Sequence, residues 1–227
     1  MSSFSTEDAR HMIRALSLAR RGLHTTDPNP RVGCVIVNEG KIVGEGWHKM
    51  AGGPHAEVHA LMAAGPQAKG ATAYVTLEPC NHHGRTPPCS EGLIESGVSR
   101  VVAAMEDPNP LVAGRGLQRL RDAGIKTDSG LFIEAAESLN PGFIQRMRTG
   151  KPWIRSKIAM SLDGQTAMAS GESRWITGPD ARRDVHRLRA RSSAIVTGSG
   201  TLMADNPRLD IRLGDTSADI VAPARIL

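Results

Sequence analysis

Strand-like and helix-like segments alternate along this chain, and that alternation restricts the fold more than any other feature. Four segments have the apolar, β-branched character of strands: residues 32–37, 42–47, 73–78 and 100–105. A turn at residues 38–41 joins the first two as a hairpin, and a further short strand is expected near Ile125. The chain therefore supplies the strands of one sheet within its first 130 residues.

Apolar residues at helical spacing fill the intervals between most of these strands. The first helix has Ser5 as its candidate N-cap and ends at Gly22. Further helices are expected across residues 55–64, near 89–97 and around 117–123. Because crossover helices cover the faces of a sheet, this order predicts a layered α/β domain with a mixed sheet.

A change of pattern near residue 150 predicts a second domain. We expect a first domain over residues 1–148, a linker at 149–152 that contains Gly150 and Pro152, and a second α/β domain over 153–227. In the second domain the sequence predicts a strand at 153–161, a turn at Asp163-Gly164, a helix opened by Pro179, a buried strand at 194–198 and a strand-like end at 224–227. These elements leave sheet edges unpaired, so we expect either a chain truncated within its second domain or completion by another chain.

Composition narrows the functional class. The 227 residues are 40% hydrophobic and 22% charged, which is typical of a globular protein. A net charge of +5 is compatible with a phosphorylated substrate, and only 3% aromatic residues argue against a base-stacking nucleic-acid surface. No membrane span or signal peptide is recognisable, so a cytoplasmic location is expected. Three cysteines favour thiols that bind a metal or are buried over a disulfide framework.

Four residues form a pattern typical of zinc deaminases. His55 and Glu57 stand at the start of a predicted helix, Cys80 follows Pro79 at the end of a strand, and Cys89 opens another helix. One imidazole and two thiolates leave a fourth tetrahedral position of Zn²⁺ for water, as catalysis requires. Glu57 is then the expected general acid/base.

Each of these residues taken alone has a simpler interpretation, as a helix cap or a buried core residue, and the joint pattern favours the metal site. The HAEVH segment carries its glutamate at the wrong position for the H-E-x-x-H metalloprotease motif. His59 is therefore expected on the helix surface or beside the ligands.

Longer motifs extend the resemblance to one family. The segments NPRVGCVIV, HAEVHAL, TLEPCNHHGRTPPC and EDPNP resemble the deaminase part of the bifunctional riboflavin biosynthesis deaminase/reductase family. Eight residues separate the two cysteines, where the general deaminase signature has two. The resemblance implies a cytidine deaminase-like three-layer α/β/α domain with a mixed sheet. It also implies hydrolytic deamination of 2,5-diamino-6-(ribosylamino)-4(3H)-pyrimidinone 5'-phosphate.

The same resemblance implies contacts to that phosphorylated pyrimidine in the first domain. They are Asn29, His48, Arg85, Asp107 and Asn109, with His82 and His83 as weaker candidates. The Arg85 guanidinium suits a phosphate, although an exposed loop arginine is an equal alternative. Asn29 and Asn109 lie in Asn-Pro turns, and turn formation alone would also explain them.

The second domain resembles the beginning of the family's reductase, which implies a dihydrofolate reductase-like α/β fold and NADPH as cofactor. The segments SLDGQTAMASGESRWITG and TGSGTLMADNPRLDIR carry the resemblance. The expected cofactor contacts are Ala159, Trp175, Thr201 and Asp205, and the expected substrate contacts are Ser173, Arg189, Leu209 and Arg212. The family's later strands have no counterpart before Leu227, so reductase activity of this chain alone is not expected.

Two other functional classes compete with this interpretation. A nucleoside or nucleic-acid (tRNA-type) deaminase would use the same zinc chemistry but would need aromatic contacts to bases. A non-catalytic zinc-stabilised module would have no use for Glu57. We therefore expect an enzyme with a small-molecule partner, no nucleic acid and no membrane, and the unpaired sheet edge favours a homo-oligomer.

Overall fold

The computed structural model describes residues 4–82, 87–110, 112–214 and 220–227. The chain divides into two compact units, Met1–Trp153 and Ile154–Leu227.

A five-stranded mixed sheet forms the centre of the first unit. Its strands are β1 (Gly33–Asn38), β2 (Lys41–Trp47), β3 (Thr72–Val75), β4 (Arg100–Ala103) and β5 (Lys126–Ser129). They lie in the order β2-β1-β3-β4-β5. β1 is antiparallel to both of its neighbours, whereas β3, β4 and β5 are parallel. The predicted mixed sheet and its β1–β2 hairpin are confirmed.

Helices cover both faces of this sheet. They are α1 (Thr6–Ala19), α2 (Ala56–Ala64), α3 (Cys89–Glu95), α4 (Arg115–Asp122), α5 (Ile133–Leu139) and α6 (Pro141–Thr149), with short 3₁₀ turns at Arg20–Gly22 and Gly65–Ala68. Side chains of β1 alternate between the two faces: Val35 and Val37 pack with α1, α5 and α6, while Cys34 and Ile36 pack with α2, α3 and α4. The three-layer α/β/α arrangement is confirmed.

Local contacts explain where helix α1 begins and how helix α2 is positioned on the sheet. Ser5 caps α1 as predicted, because its hydroxyl accepts the Asp8 N–H at 3.0 Å while the Asp8 carboxylate accepts the Ser5 N–H at 2.9 Å. Helix α2 lies directly on β2, since a Cβ added at Gly46 would stand only 2.3 Å from the Ala56 carbonyl oxygen. This close approach places the N-terminus of α2, with His55 as its N-cap, at one end of the sheet.

The second unit contains two helices and a short sheet among its described residues. They are α7 (Pro179–Ala190), α8 (Ser199–Asp205), β6 (Ala194–Val196) and β7 (Ala224–Ile226). β6 and β7 are parallel. None of the helices in the described parts of the chain is long and apolar enough to cross a membrane.

Two expectations for the second unit are wrong. Residues 153–161 form no strand: Ile154 and Ile158 are exposed, and the β6–β7 ladder of the described residues does not reach them. An apolar run becomes a strand only where a partner accepts its backbone hydrogen bonds. The segment at 194–198 forms a strand only over β6 and is not buried, because Val196 is 71% exposed.

Candidate active site

A cavity of about 220 Å³ lies in the first unit and collects most of the predicted deaminase residues. Its lining includes the predicted residues Asn29, His48, His55, Glu57, Cys80, His82, Asp107 and Asn109. Segments that are far apart in sequence therefore line the same cavity. Arg85 and His83 lie outside the described residues.

The candidate metal ligands form a compact cluster at this cavity. Nδ1 of His55 lies 3.2 Å from the Cys89 sulfur and 3.6 Å from the Cys80 sulfur. The Cys89 N–H points to the Cys80 sulfur at 3.4 Å. The three ligand atoms all lie within 4.8 Å of one another. His55 precedes α2 and Cys89 begins α3, so two helix starts and the segment after β3 set the cluster.

This geometry fits a zinc ion. Tetrahedral zinc with bonds of about 2.0–2.3 Å holds its nitrogen and sulfur ligands roughly 3.4–3.8 Å apart, close to the separations observed here. The hydrogen bond with Cys89 lowers the pKa of the Cys80 thiol, which favours the thiolate that binds metal. Two of the three ligands, His55 and Cys80, line the cavity, which gives a fourth ligand from solvent or substrate access to the site.

Glu57 is the buried carboxyl group beside this cluster. It lies in the first turn of α2, is 4% exposed and lines the cavity. Burial raises the pKa of Glu57 to about 7, although the charge of His55 acts in the opposite direction. A carboxyl group in this environment can both accept and donate a proton near neutral pH, as a general acid/base must.

Asn29 and His48 form a hydrogen-bonded pair on another wall. Nε2 of His48 lies 3.1 Å from the Asn29 amide nitrogen, and Nδ1 of His48 lies 3.0 Å from the Pro54 carbonyl oxygen. The carbonyl can only accept, so Nδ1 carries the proton and Nε2 accepts from Asn29. Burial also lowers the pKa of His48, in agreement with a neutral ring.

Asp107 and Asn109 lie on the loop after β4. The Asn109 N–H donates to Oδ1 of Asp107 at 2.8 Å, which is an Asx-type turn. Both residues line the cavity, so the turn-forming and the substrate-facing interpretations are compatible. Burial raises the pKa of Asp107 to about 6.

Glu78 and Phe143 also line the cavity, and neither was predicted from the sequence as a site residue. Glu78 stands two residues before Cys80, inside the quoted TLEPC motif, and is 3% exposed. A charged residue within an apolar strand end next to a metal ligand is the signal that could have singled it out. Phe143 comes from α6, and no local pattern connects it to the metal motif.

Comparison with known proteins assigns both parts of the chain. Residues 5–105 match the model described as cytidine and deoxycytidylate deaminase zinc-binding region, and residues 152–227 match the RibD C-terminal domain. The riboflavin biosynthesis protein RibD of Escherichia coli is 66% identical over 206 residues, which cover 91% of this chain and 56% of the relative.

The chain belongs to the RibD family of riboflavin biosynthesis proteins. The solved structure of Acinetobacter baumannii RibD, form 1, is 54% identical with a TM-score of 0.94, over 97% of this chain and 63% of that one. A Thermotoga maritima structure titled diaminohydroxyphosphoribosylaminopyrimidine deaminase/5-amino-6-(5-phosphoribosylamino)uracil reductase is 42% identical with a TM-score of 0.89, over 97% of this chain and 62% of that one. The cytidine deaminase-like domain and the beginning of a reductase-type domain are thereby confirmed. This chain spans a little over half the length of the curated RibD relatives that it matches.

The residues expected to contact NADPH lie on the surface of the second unit. Trp175, Thr201 and Asp205 are exposed, and Ala159 is half-buried. The Arg182 guanidinium stacks 4.3 Å from the centre of the Trp175 ring. These exposed positions do not enclose a dinucleotide among the described residues of this unit, so their role stays a prediction.

Two of the four expected substrate residues of this unit meet at Asp210. Arg189 donates to the Asp210 carbonyl oxygen at 2.9 Å, and Arg212 pairs with the Asp210 carboxylate at 3.2 Å. Leu209 precedes Asp210 and is half-buried, whereas Ser173 is exposed. The structure therefore places Arg189, Leu209 and Arg212 close to one residue, and it does not bury Ser173.

Proposed function

We propose that residues 1–148 form a zinc-dependent deaminase acting on 2,5-diamino-6-(ribosylamino)-4(3H)-pyrimidinone 5'-phosphate. The observation that carries the proposal is the His55, Cys80 and Cys89 cluster, two of whose members, His55 and Cys80, line one cavity with the buried carboxyl group of Glu57. Membership of the RibD family supports this substrate over a nucleoside or a nucleic acid.

The reaction exchanges the ring amine for oxygen. His55, Cys80 and Cys89 would hold the zinc ion, which would supply the Lewis acidity that makes water a nucleophile at neutral pH. Glu57 takes one proton from the attacking water and gives it to the ring nitrogen. It then takes the second proton from the newly formed hydroxyl group and gives it to the departing amine. The new carbon–oxygen bond replaces the carbon–nitrogen bond, and ammonia leaves.

Polar side chains on the other walls would orient the pyrimidine. Within the described part of the chain, the Asn29 amide uses one N–H on His48, which leaves its oxygen and second N–H for substrate hydrogen bonds. Asp107 and Asn109 approach from the loop after β4. Arg85 is proposed as the phosphate partner because its guanidinium offers paired donors.

For the second part we propose a role in reduction. Residues 153–227, after a linker at 149–152, would contribute the N-terminal part of an NADPH-dependent reductase that converts the ribosyl group to a ribityl chain. The match of residues 152–227 to the RibD C-terminal domain supports this assignment. Ala159, Trp175, Thr201 and Asp205 are the proposed cofactor contacts, and Ser173, Arg189, Leu209 and Arg212 the proposed substrate contacts. We further propose a cytoplasmic homo-oligomer.

Ammonia release from the diaminopyrimidine ribosyl phosphate tests the proposal directly. The zinc-loaded 227-residue chain is assayed with and without NADPH while nicotinamide absorbance is followed. We expect the same rate of ammonia release in both assays. A zinc-loaded chain that releases no ammonia would contradict the deaminase proposal, and NADPH oxidation would show that the reductase part is functional.

A further inference from the structure

Glu78 makes an unusually complete set of hydrogen bonds for a buried carboxylate. One oxygen accepts the N–H groups of Asp107 at 3.0 Å and Gly114 at 2.8 Å. The other accepts the N–H groups of Gly116 at 2.8 Å and Leu117 at 3.1 Å. Four backbone donors thus converge on one side chain, which satisfies the charge that burial would otherwise leave unpaired.

Three of these donors, the N–H groups of Gly114, Gly116 and Leu117, belong to the start of helix α4. The first N–H groups of a helix have no intrahelical acceptor, and the N-cap residue Gly114 has no side chain to supply one. Glu78 supplies the acceptor from the segment after β3, and its negative charge also suits the helix N-terminus. The segment that carries Cys80 and the start of α4 are therefore joined through one carboxylate.

The fourth donor, the N–H group of Asp107, links Glu78 to the cavity. The Asp107 N–H is held by Glu78, and the Asp107 carboxylate in turn holds the Asn109 N–H at 2.8 Å. Both Asp107 and Asn109 line the cavity beside Cys80. The position of Asn109 relative to the metal ligands thus depends on a continuous series of hydrogen bonds that begins at Glu78.

The packing at Gly116 points to the same junction independently. A Cβ at Gly116 would stand 1.9 Å from the Pro79 carbonyl oxygen, so only glycine lets α4 come this close. Pro79 is the residue between Glu78 and Cys80. The backbone is therefore shaped to bring the α4 start against the metal-ligand segment, where Glu78 can reach it.

We propose that Glu78 is a positioning residue for the deamination, which sets Asp107 and Asn109 against the pyrimidine while leaving the metal ligands in place. This inference rests on the proposed deaminase function. Glu78 acts through the backbone of the loop after β4, and its loss should weaken substrate binding more than the chemical step.

Glu78→Gln tests the role, because it keeps the size of the side chain and turns one acceptor oxygen into a donor that faces backbone N–H groups. We expect one zinc per chain, a KM raised about tenfold or more, and a kcat within about threefold of wild type. Asn109→Ala should raise KM in the wild-type background and add little in the Glu78→Gln background, since both changes disturb one contact.

Glu91→Gln is the matched control. Glu91 also links α4 to another element, through Arg119 at 2.7 Å, but it is on the surface and outside the cavity lining. The KM and kcat of Glu91→Gln should equal the wild-type values. If Glu78→Gln does not fold, Glu78→Asp keeps the charge and withdraws it by one methylene, and the same rise in KM is expected there.

The outcomes separate the two proposals. Unchanged KM in a folded Glu78 variant, or loss of zinc from it, overturns the positioning role while wild type remains an active deaminase. Additive effects of the Asn109 and Glu78 changes also overturn it. A wild-type chain that releases no ammonia contradicts the proposed function and the inference that rests on it.

Discussion

The Asn29 amide nitrogen lies 3.1 Å from Nε2 of His48, whose other ring nitrogen is held by the Pro54 carbonyl oxygen. His48 thus fixes which way the Asn29 amide faces in the cavity. The pair converts a residue of an Asn-Pro turn into an oriented donor and acceptor for a ring substrate. Orientation of this kind affects binding without any direct part in proton transfer.

We predict that His48→Ala lowers kcat/KM for deamination by about tenfold or more, because the Asn29 amide loses its acceptor. Asn29→Ala should lower kcat/KM by a similar factor, and the double variant should have a kcat/KM only slightly lower than that of either single variant. Asn38→Ala is the control, since its amide bonds to the Gln67 carbonyl oxygen on the surface. Steady-state kinetics of the four variants test this prediction. If the free-energy losses calculated from kcat/KM are strictly additive in the double variant, the two residues act separately.

Glu57→Gln should separate metal binding from proton transfer. The amide keeps the size of the side chain and cannot accept the water proton, so we predict zinc at wild-type content and a fall in kcat of about a hundredfold or more. Metal analysis and ammonia release on the same preparation measure both. Glu45→Gln is the control, because that carboxylate pairs with Arg14 outside the cavity lining. Wild-type turnover by Glu57→Gln would exclude the general acid/base role.

Cys89→Ala should weaken zinc binding, because three protein ligands become two. The second buried cysteine of this unit offers a control: Cys34 is fully buried on the α2 side of the sheet and lies outside the cluster. Cys34→Ala should therefore keep one zinc per chain. Zinc content after dialysis against a weak chelator is the measurement, and stoichiometric zinc in Cys89→Ala would show that this thiol is no ligand.

Local sequence signals predicted the metal cluster better than its surroundings. His55, Glu57 and the two cysteines stand at helix starts and strand ends, whose turn and periodicity signals are short-range. Glu78 was missed because its four hydrogen-bond partners lie 29–39 residues further along the chain. Only the folded topology brings the loop after β4 to that carboxylate.

The error at residues 153–161 has a related cause. Apolar character predicted a strand there, but a strand also needs a neighbour, and the described residues of the second unit pair only β6 with β7. By contrast, the β1–β2 hairpin was predictable because its partner follows within four residues and a turn signal separates the two. Predictability from this sequence therefore falls as pairing becomes less local.

Asp8 gives a prediction on stability that does not depend on the active site. Arg100 donates to Asp8 at 2.7 Å, and the Tyr74 hydroxyl donates at 2.8 Å. Burial acts to raise the pKa of this carboxyl group, but the hydrogen bonds from Arg100, the Ser5 backbone and Tyr74 outweigh it and hold the pKa well below its usual range. The ionised form is therefore the one that stabilises the fold.

The sign of the pH dependence follows from that depressed pKa. The contribution of Asp8 is fully present above its ordinary pKa of 3.8 and is lost as pH falls from there toward the lower folded-state pKa. We predict that Asp8→Asn lowers the free energy of unfolding by roughly 2–4 kcal/mol at pH 7 and by clearly less at pH 3. Thermal unfolding at the two pH values measures this difference.

Asp180→Asn is the control. It removes an exposed ion pair with Arg183 and should change the free energy of unfolding by less than about 0.5 kcal/mol at either pH. Equal destabilisation by Asp8→Asn at both pH values would mean that packing, and not the carboxylate charge, is what Asp8 contributes.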